Sequence, residues 1–171
     1  MAKLWQTKST SLHPLAEKYT VGTDYILDQK LLPFDLDASA AHAQALKKLG
    51  ILTQDELKKL LNGLEEIRAL HTKGEFTISQ ADEDCHTAIE NYLVKKLGDL
   101  GKKIHTCRSR NDQVLVATRL YTRKKLKQIS RELIGLERVF LAMAKKFQFI
   151  PMPGYTHTRR AMPSSIGHWA A

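Results

Sequence analysis

Side chains able to move protons or hold anions gather at four places in this 171-residue chain. Thr156 and His157 follow Pro153-Gly154, so a histidine that titrates near neutral pH stands beside a hydroxyl donor in a form suited to general acid–base work. A structural histidine bonded to nearby backbone is the other reading. Arg108-Ser109-Arg110-Asn111-Asp112-Gln113 opens a helical pattern. Free amides at a helix start, two guanidinium groups and Ser/Asn donors make a receptor for a carboxylate or phosphate. Ordinary capping by Ser109 or Asn111, with Asp112 favoured by the helix dipole and Arg110 on the surface, explains the same letters. Ser39 with His42, and Asp84 with His86, complete the set. On residue type alone, both histidines there fit a helix surface or a cap.

The two cysteines each have a histidine close by, in Cys85-His86 and His105-Thr106-Cys107. Thiolate and imidazole are the usual zinc ligands. Successive helical residues point about 100° apart, however, so Cys85 and His86 are not expected to converge on one ion. Two reduced thiols and no metal or organic cofactor are the expectation.

The elements that must position these groups are helical. Residues 1–34 carry Pro14, Gly22 and Pro33 without a clear period and read as an extended arm with a short helix. From Asp35, the stripe Leu36, Ala40, Ala43, Leu46 predicts a helix stopped at Gly50. Thr53-Gln54-Asp55-Glu56 is a capping box opening a second helix through Leu57, Leu60, Leu61, Leu64 and Ile67 to Lys73-Gly74. A third starts at Asp82–Asp84 and runs through Ile89 and Leu93 to Gly98. Residues 100–111 read as a loop. From Asp112 to Phe149 there is no Pro and Gly135 is the one Gly, which predicts a helix of bundle length. Pro151-Met152-Pro153-Gly154 ends it, and Pro163 suits the first turn of a further helix. No stretch reads as a strand. The expectation is all-α: a helical N-terminal domain over 1–111, then the first long helix of a central bundle over 112–171.

Composition narrows the classes further. Apolar content of 43% supports a real core. No run approaches a membrane span, and the start, Met-Ala-Lys-Leu-Trp-Gln, lacks the apolar region of a secretory signal, so a cytoplasmic, membrane-free chain is expected. The net charge of +9, from 27 Lys and Arg against 18 Asp and Glu, raises the question of nucleic acid. The cations are spread along the chain at helical spacing with few interleaved aromatics, which argues against that partner.

His-Thr-Cys-Arg-Ser-Arg-Asn-Asp-Gln at 105–113 and Pro-Gly-Tyr-Thr-His at 153–157 resemble the first two signature regions of argininosuccinate lyases. Asp-Leu-Asp-Ala-Ser-Ala-Ala-His at 35–42 is similar to their early serine segment, and Glu-Asp-Cys-His at 83–86 to their acidic helix start. The resemblance runs in order from about residue 35 to the end. It implies the fumarase/aspartase helical fold, a homotetramer whose active sites are shared between subunits, and elimination of fumarate from argininosuccinate to leave arginine. It also implies that His157 is the acid–base residue and that Ser39, Asn111 and Thr156 bind substrate. Ser109, Arg110, Asp84 and His86 are then expected in or beside that pocket. Adenylosuccinate lyase and a non-catalytic crystallin-like homologue are the alternatives.

Three departures from the family pattern stand out. Cys107 occupies a usual Gly position, Thr158-Arg159 replaces Leu-Gln, and the family's Gly-Ser-Ser-x-Met-Pro-x-Lys serine loop does not occur in these residues. An N-terminal part that is inactive alone is the corresponding expectation.

Overall fold

A computed structural model describes residues 13–171, apart from the side chains of Pro14, Glu17 and Lys18. The chain forms two compact units, one up to Tyr121 and the other Thr122–Ala171. The first contains α1 (Pro14–Val21), α2 (Asp24–Leu27), α3 (Leu32–Lys48), α4 (Gln54–Thr72), α5 (Cys85–Leu97) and α6 (Asp99–Lys102). Single 3-10 turns occupy Asp28–Lys30 and Lys103–His105. The long helix α7 (Arg110–Phe147) begins in the first unit and continues into the second.

The apolar stripes read from the sequence meet one another. Leu32, Leu36, Ala43 and Leu46 of α3 pack with Leu57, Leu60, Leu64 and Ile67 of α4 and with Ala88, Ile89 and Leu93 of α5, closed by Ile104. Each such leucine or isoleucine taken out of water contributes roughly 1.5–3 kcal/mol, so this three-helix contact is what holds the unit's polar cluster in place.

Helix limits follow local chemistry. The capping box at α4 is complete: Glu56 N–H donates to Thr53 Oγ1 at 3.2 Å, and Thr53 N–H to Glu56 Oε2 at 2.8 Å. Glu56 also takes Lys103 Nζ at 2.6 Å, and that hydrogen bond, reinforced by the Thr53 amide, lowers the Glu56 carboxyl to about 2. Gly50 and Gly74 follow the ends of α3 and α4 at φ of 75° and 76°, a backbone state that glycine takes without steric cost. Asp84 caps α5 by accepting from Thr87 N–H at 2.8 Å.

The structure corrects several expectations. The part of the arm read at 1–12 lies outside the described residues, but 14–31 is two helices and a 3-10 turn rather than extended chain. α3 begins at Leu32, not Asp35, because Pro33 sits in its first turn, where a missing N–H costs nothing. Residues 100–111 hold α6 and a 3-10 turn before α7 starts.

The second unit also overturns the absence of strands. β1 (Pro151–Thr156) and β2 (Arg159–Ser165) form an antiparallel hairpin, followed by α8 (Ile166–Ala170), so Pro163 lies in a strand. Three prolines concealed the hairpin. In a two-stranded sheet both strands are edges, so a proline's missing donor can face outward, and Pro153 stands opposite Pro163. The pairing is irregular between Pro153 and Tyr155, where Gly154 allows a bulge. Along α7, Leu126, Ile129, Leu133, Leu136 and Phe140 remain between 40% and 61% exposed.

Candidate active site

In the first unit, α3 and α5 bring a polar cluster into the core. Asp35 and Ser39, one helical turn apart on α3, are both 0% exposed. The Ser39 hydroxyl donates to Asp35 Oδ1 at 3.4 Å and accepts from Arg108 Nη2 at 3.2 Å. Arg108 Nη2 also reaches the Ile104 carbonyl at 3.4 Å. The other Asp35 oxygen, Oδ2, lies 2.7 Å from His86 Nδ1 and 3.7 Å from the Cys85 thiol. Cys85 N–H donates to Asp28 Oδ2 at 3.0 Å.

The charges of this cluster set its protonation. For His86, burial is the largest influence and opposes the imidazolium. The hydrogen bond to Asp35 and the charges of Asp35, Asp84 and Asp28 together outweigh it, so the His86 pKa lies above its ordinary value. Burial, then the carboxylates of Asp35, Asp28 and Asp84, drive the Cys85 thiol far upward, and it stays protonated. Burial likewise raises the Glu90 carboxyl, against the opposing influence of the nearby basic side chains of His105, Arg108, Arg110 and Lys102.

Contrary to the helical-angle argument, Cys85 and His86 do converge. With Asp35 they place three ligand atoms within 4.8 Å of one another. Two ligands of one zinc ion at 2.0–2.1 Å stand about 3.3 Å apart in a tetrahedron. The 2.7 Å between Asp35 Oδ2 and His86 Nδ1 is a hydrogen bond instead.

The start of α7 resolves the capping alternatives. Ser109 Oγ accepts from Asn111 N–H at 3.1 Å, while Asp112 Oδ2 accepts from Ser109 N–H at 2.9 Å. Ser109 is therefore the cap, and Asn111 is exposed. Arg110 is not a free surface residue. Its Nη1 lies 3.4 Å from Asp84 Oδ2, and its Nη2 lies 3.6 Å from Glu83 Oε2 and 3.0 Å from Thr87 Oγ1. Asp84, His86, Ser109, Arg110 and Asn111 thus share one end of the unit, the α5 cap tied to the α7 cap. Cys107, at the position usually filled by Gly, has φ of 59°, the left-handed region that favours Gly.

In the second unit, Thr156 pairs with Arg159 across a two-residue turn of His157 (φ 50°) and Thr158 (φ 63°). Two positive φ values define the hairpin turn that matches strand twist, normally filled by Asn-Gly. Here it carries a histidine and a β-branched threonine. Thr156 Oγ1 and His157 Nδ1 are 3.0 Å apart, and Thr158 Oγ1 donates to the His157 carbonyl at 2.6 Å. The His157 ring is exposed at the tip, and among the described residues Nδ1 is its one hydrogen-bonded nitrogen.

Sequence reasoning missed Asp35 as a partner of Ser39, and it read Arg108 with Arg110 as an anion receptor without foreseeing that Arg108 turns inward onto Ser39. The four-residue spacing of Asp35 and Ser39 on one helix was the available signal for the first. For Arg108, standing in the Arg-Ser-Arg run, no spacing rule pointed inward.

Helices in this order, followed by the hairpin, make up a fold seen in known lyases. Solved structures share it: an EDDS lyase variant with bound fumarate aligns at TM-score 0.73 and 25% identity over 95% of this chain and 32% of its own. A fumarate lyase/delta crystallin from Brucella melitensis aligns at TM-score 0.72 and 18% identity over 94% of this chain and 40% of its own. The chain belongs to the lyase family, whose pattern matches residues 11–171. Among its relatives, the argininosuccinate lyase of Thermotoga neapolitana is 48% identical over 98% of this chain and 42% of that protein. That of Sorangium cellulosum is 48% identical over 90% of this chain and 36% of that protein. The chain spans about two fifths of the length of these relatives.

Proposed function

We propose that this chain serves an argininosuccinate lyase, which eliminates fumarate from argininosuccinate and leaves arginine. The observation that carries the reading is the 48% identity to an argininosuccinate lyase over 98% of the chain. In the reaction a base removes the proton from the carbon beside a carboxylate. The C–H electron pair first moves into that carboxylate, giving a dianionic intermediate, and then forms the C=C bond as the C–N bond breaks and the leaving guanidine nitrogen takes a proton. Donors to the carboxylates stabilise the dianionic intermediate.

His157 is the proton-transfer residue in this proposal. Its Nδ1 is engaged by Thr156, which leaves Nε2 toward solvent for the reacting group. Asn111 and Thr156 hold carboxylates, and Ser109, Arg110, Asp84 and His86 frame the same end of the substrate. Ser39 enters differently from the expectation drawn from resemblance. Its enclosed hydroxyl acts on Arg108 and Asp35 before it can act on a ligand. We further propose residues 1–111 and 112–171 as the functional domains, with His157 and the Ser39–Asn111 group completing sites between copies of a homotetramer. The exposed apolar stripe of α7 supports self-association. A cytoplasmic location agrees with the finding that, among the described residues, no helix is long and apolar enough to cross a membrane.

The test is fumarate release from argininosuccinate and from adenylosuccinate, measured in the complete polypeptide that carries this sequence. Turnover of argininosuccinate alone supports the reading. Turnover of adenylosuccinate alone, or of neither, refutes it.

A further inference from the structure

Asp35 stands in the first turn of α3, where a carboxylate is favoured by the helix dipole and ordinarily serves the free amides of the helix start. Asp35 does something else. It is 0% exposed, and α3 begins without a side-chain cap. Its two oxygens divide between helices. Oδ2 meets His86 Nδ1 at 2.7 Å and the Cys85 thiol at 3.7 Å, both from α5. Oδ1 accepts from the Ser39 hydroxyl at 3.4 Å, and Ser39 Oγ accepts in turn from Arg108 Nη2 at 3.2 Å. With Oδ2 clamped from α5, the carboxylate cannot turn, and Oδ1 stays aimed at Ser39.

A buried pair such as Asp35–His86 is a weak source of net stability, because desolvating two charges offsets most of their attraction. The far end of the chain of contacts supplies another role. Arg108 Nη2 bonds only neutral oxygens, Ser39 Oγ and the Ile104 carbonyl, and the buried Nε has no partner. Burial opposes the Arg108 charge, and of the carboxylates that offset this Asp35 acts most strongly, ahead of Glu90 and Asp112. The hydroxyl that holds the guanidinium and its strongest counter-charge both lead back to Asp35. The next residue, Ser109, caps α7 by accepting from Asn111 N–H at 3.1 Å, so where Arg108 sits fixes where α7 begins.

We propose that Asp35 is a positioning residue of the candidate site: clamped by His86 on one oxygen, it orients Ser39 with the other and, through Ser39, holds Arg108 and the Ser109–Asn111 start of α7 in place. Its bearing on turnover rests on the lyase reading. Its hold on Arg108 does not.

Two measurements on Asp35→Asn, Ser39→Ala and the double variant test the proposal. Asparagine keeps the size of Asp35 and removes its charge, whereas alanine at 39 cuts the link to Arg108 and leaves the Asp35–His86 pair whole. The first measurement is solvent exchange of Arg108 Nε–H by NMR in this chain, with the Leu60 and Leu64 amides of α4 reporting global opening. Each single variant should speed Arg108 exchange about tenfold or more beyond any change at Leu60 and Leu64, and the double should add nothing further. Effects that multiply in the double would overturn the proposal, since Asp35 would then act independently of Ser39. Acceleration at Arg108 no greater than at Leu60 would overturn it too, by marking a merely structural pair. Should Asp35→Asn fail to fold, Ser39→Ala decides alone, and an Arg108 Nε–H as protected as in the native chain overturns the proposal.

The second measurement is argininosuccinate turnover in the complete polypeptide. Each single variant should raise KM about tenfold while changing kcat less, again with no further loss in the double. KM values that stay at the native level would overturn the bearing on turnover. A native polypeptide that turns over no argininosuccinate refutes the lyase reading instead, and the exchange measurement still decides the hold on Arg108.

Discussion

His86 and Asp35, fifty-one positions apart in the chain, meet at 2.7 Å in the core of the first unit with 4% and 0% of their side chains exposed. The pair couples folding to pH. Because the folded pKa of His86 is raised, its stabilising contribution is present in full below the unfolded value near 6.5 and is lost as pH rises through the folded value. The difference in melting temperature between the native chain and His86→Gln should therefore shrink as pH rises from 6 through the neutral and mildly alkaline range. Asp35→Ala should cost about 3–5 kcal/mol, the usual result of stranding one member of a buried pair. A difference that does not change with pH would show that His86 is neutral in the folded protein.

The two cysteines should react at very different rates. Cys107 is exposed, whereas Cys85 is buried with its thiol held protonated by burial and three carboxylates. A disulfide reagent added to the native chain should label Cys107 quickly and Cys85 only after denaturant is added. Equal rates would mean that the α3–α5 contact opens readily. Cys107→Gly should in addition stabilise the chain by about 1 kcal/mol, because it removes a side chain from a positive-φ position.

Gly101 and Gly135 should respond oppositely to alanine. A Cβ at Gly101 would lie 2.4–2.6 Å from backbone atoms of Leu93 and Val94, which cannot rotate away. At Gly135 nothing lies within 4 Å. Gly101→Ala should destabilise by about 2 kcal/mol or more by forcing α6 off α5. Gly135→Ala should stabilise α7 by about 0.5–1 kcal/mol through helix propensity. Denaturant midpoints measured side by side decide the matter, and a destabilising Gly135→Ala would contradict the open surface there.

The hairpin tip provides a test that separates chemistry from folding. Thr158→Asn keeps a positive-φ conformation that Asn tolerates far better than Thr, and it should stabilise the second unit by about 0.5–1 kcal/mol. His157→Asn should leave stability near the native value, since the ring is exposed. In the complete polypeptide it should lower fumarate formation roughly 10²–10⁴-fold. An unchanged rate would remove His157 from the chemistry.

Much of the helical frame was readable because its signals are local. Thr53 and Glu56 announce α4, Asp84 announces α5, and Gly50 and Gly74 mark where α3 and α4 end. The hairpin was not, since Pro151, Pro153 and Pro163 are strand breakers everywhere except at an edge, and edge status is a property of the finished sheet. The Asp35–Cys85–His86 cluster was hidden for a different reason. Helical angles separate Cys85 from His86 within one helix, but a third residue arriving from α3 can touch both. Ser39 was legible as a polar residue on α3; its complete enclosure depends on Arg108 folding back over it from 69 positions away.

The two-residue turn also limits how this chain can change over generations. His157 is placed by counting: Thr156 and Arg159 are partners, and only two residues lie between them. Most surface loops absorb an inserted or deleted residue at small cost. Here one extra residue anywhere between Tyr155 and Arg160 would either lengthen the tip or shift the pairing by one, and a one-residue shift turns every side chain of a strand to the opposite face. Substitutions can be tried one at a time at this tip, as Thr158 and Arg159 show, but changes in length cannot.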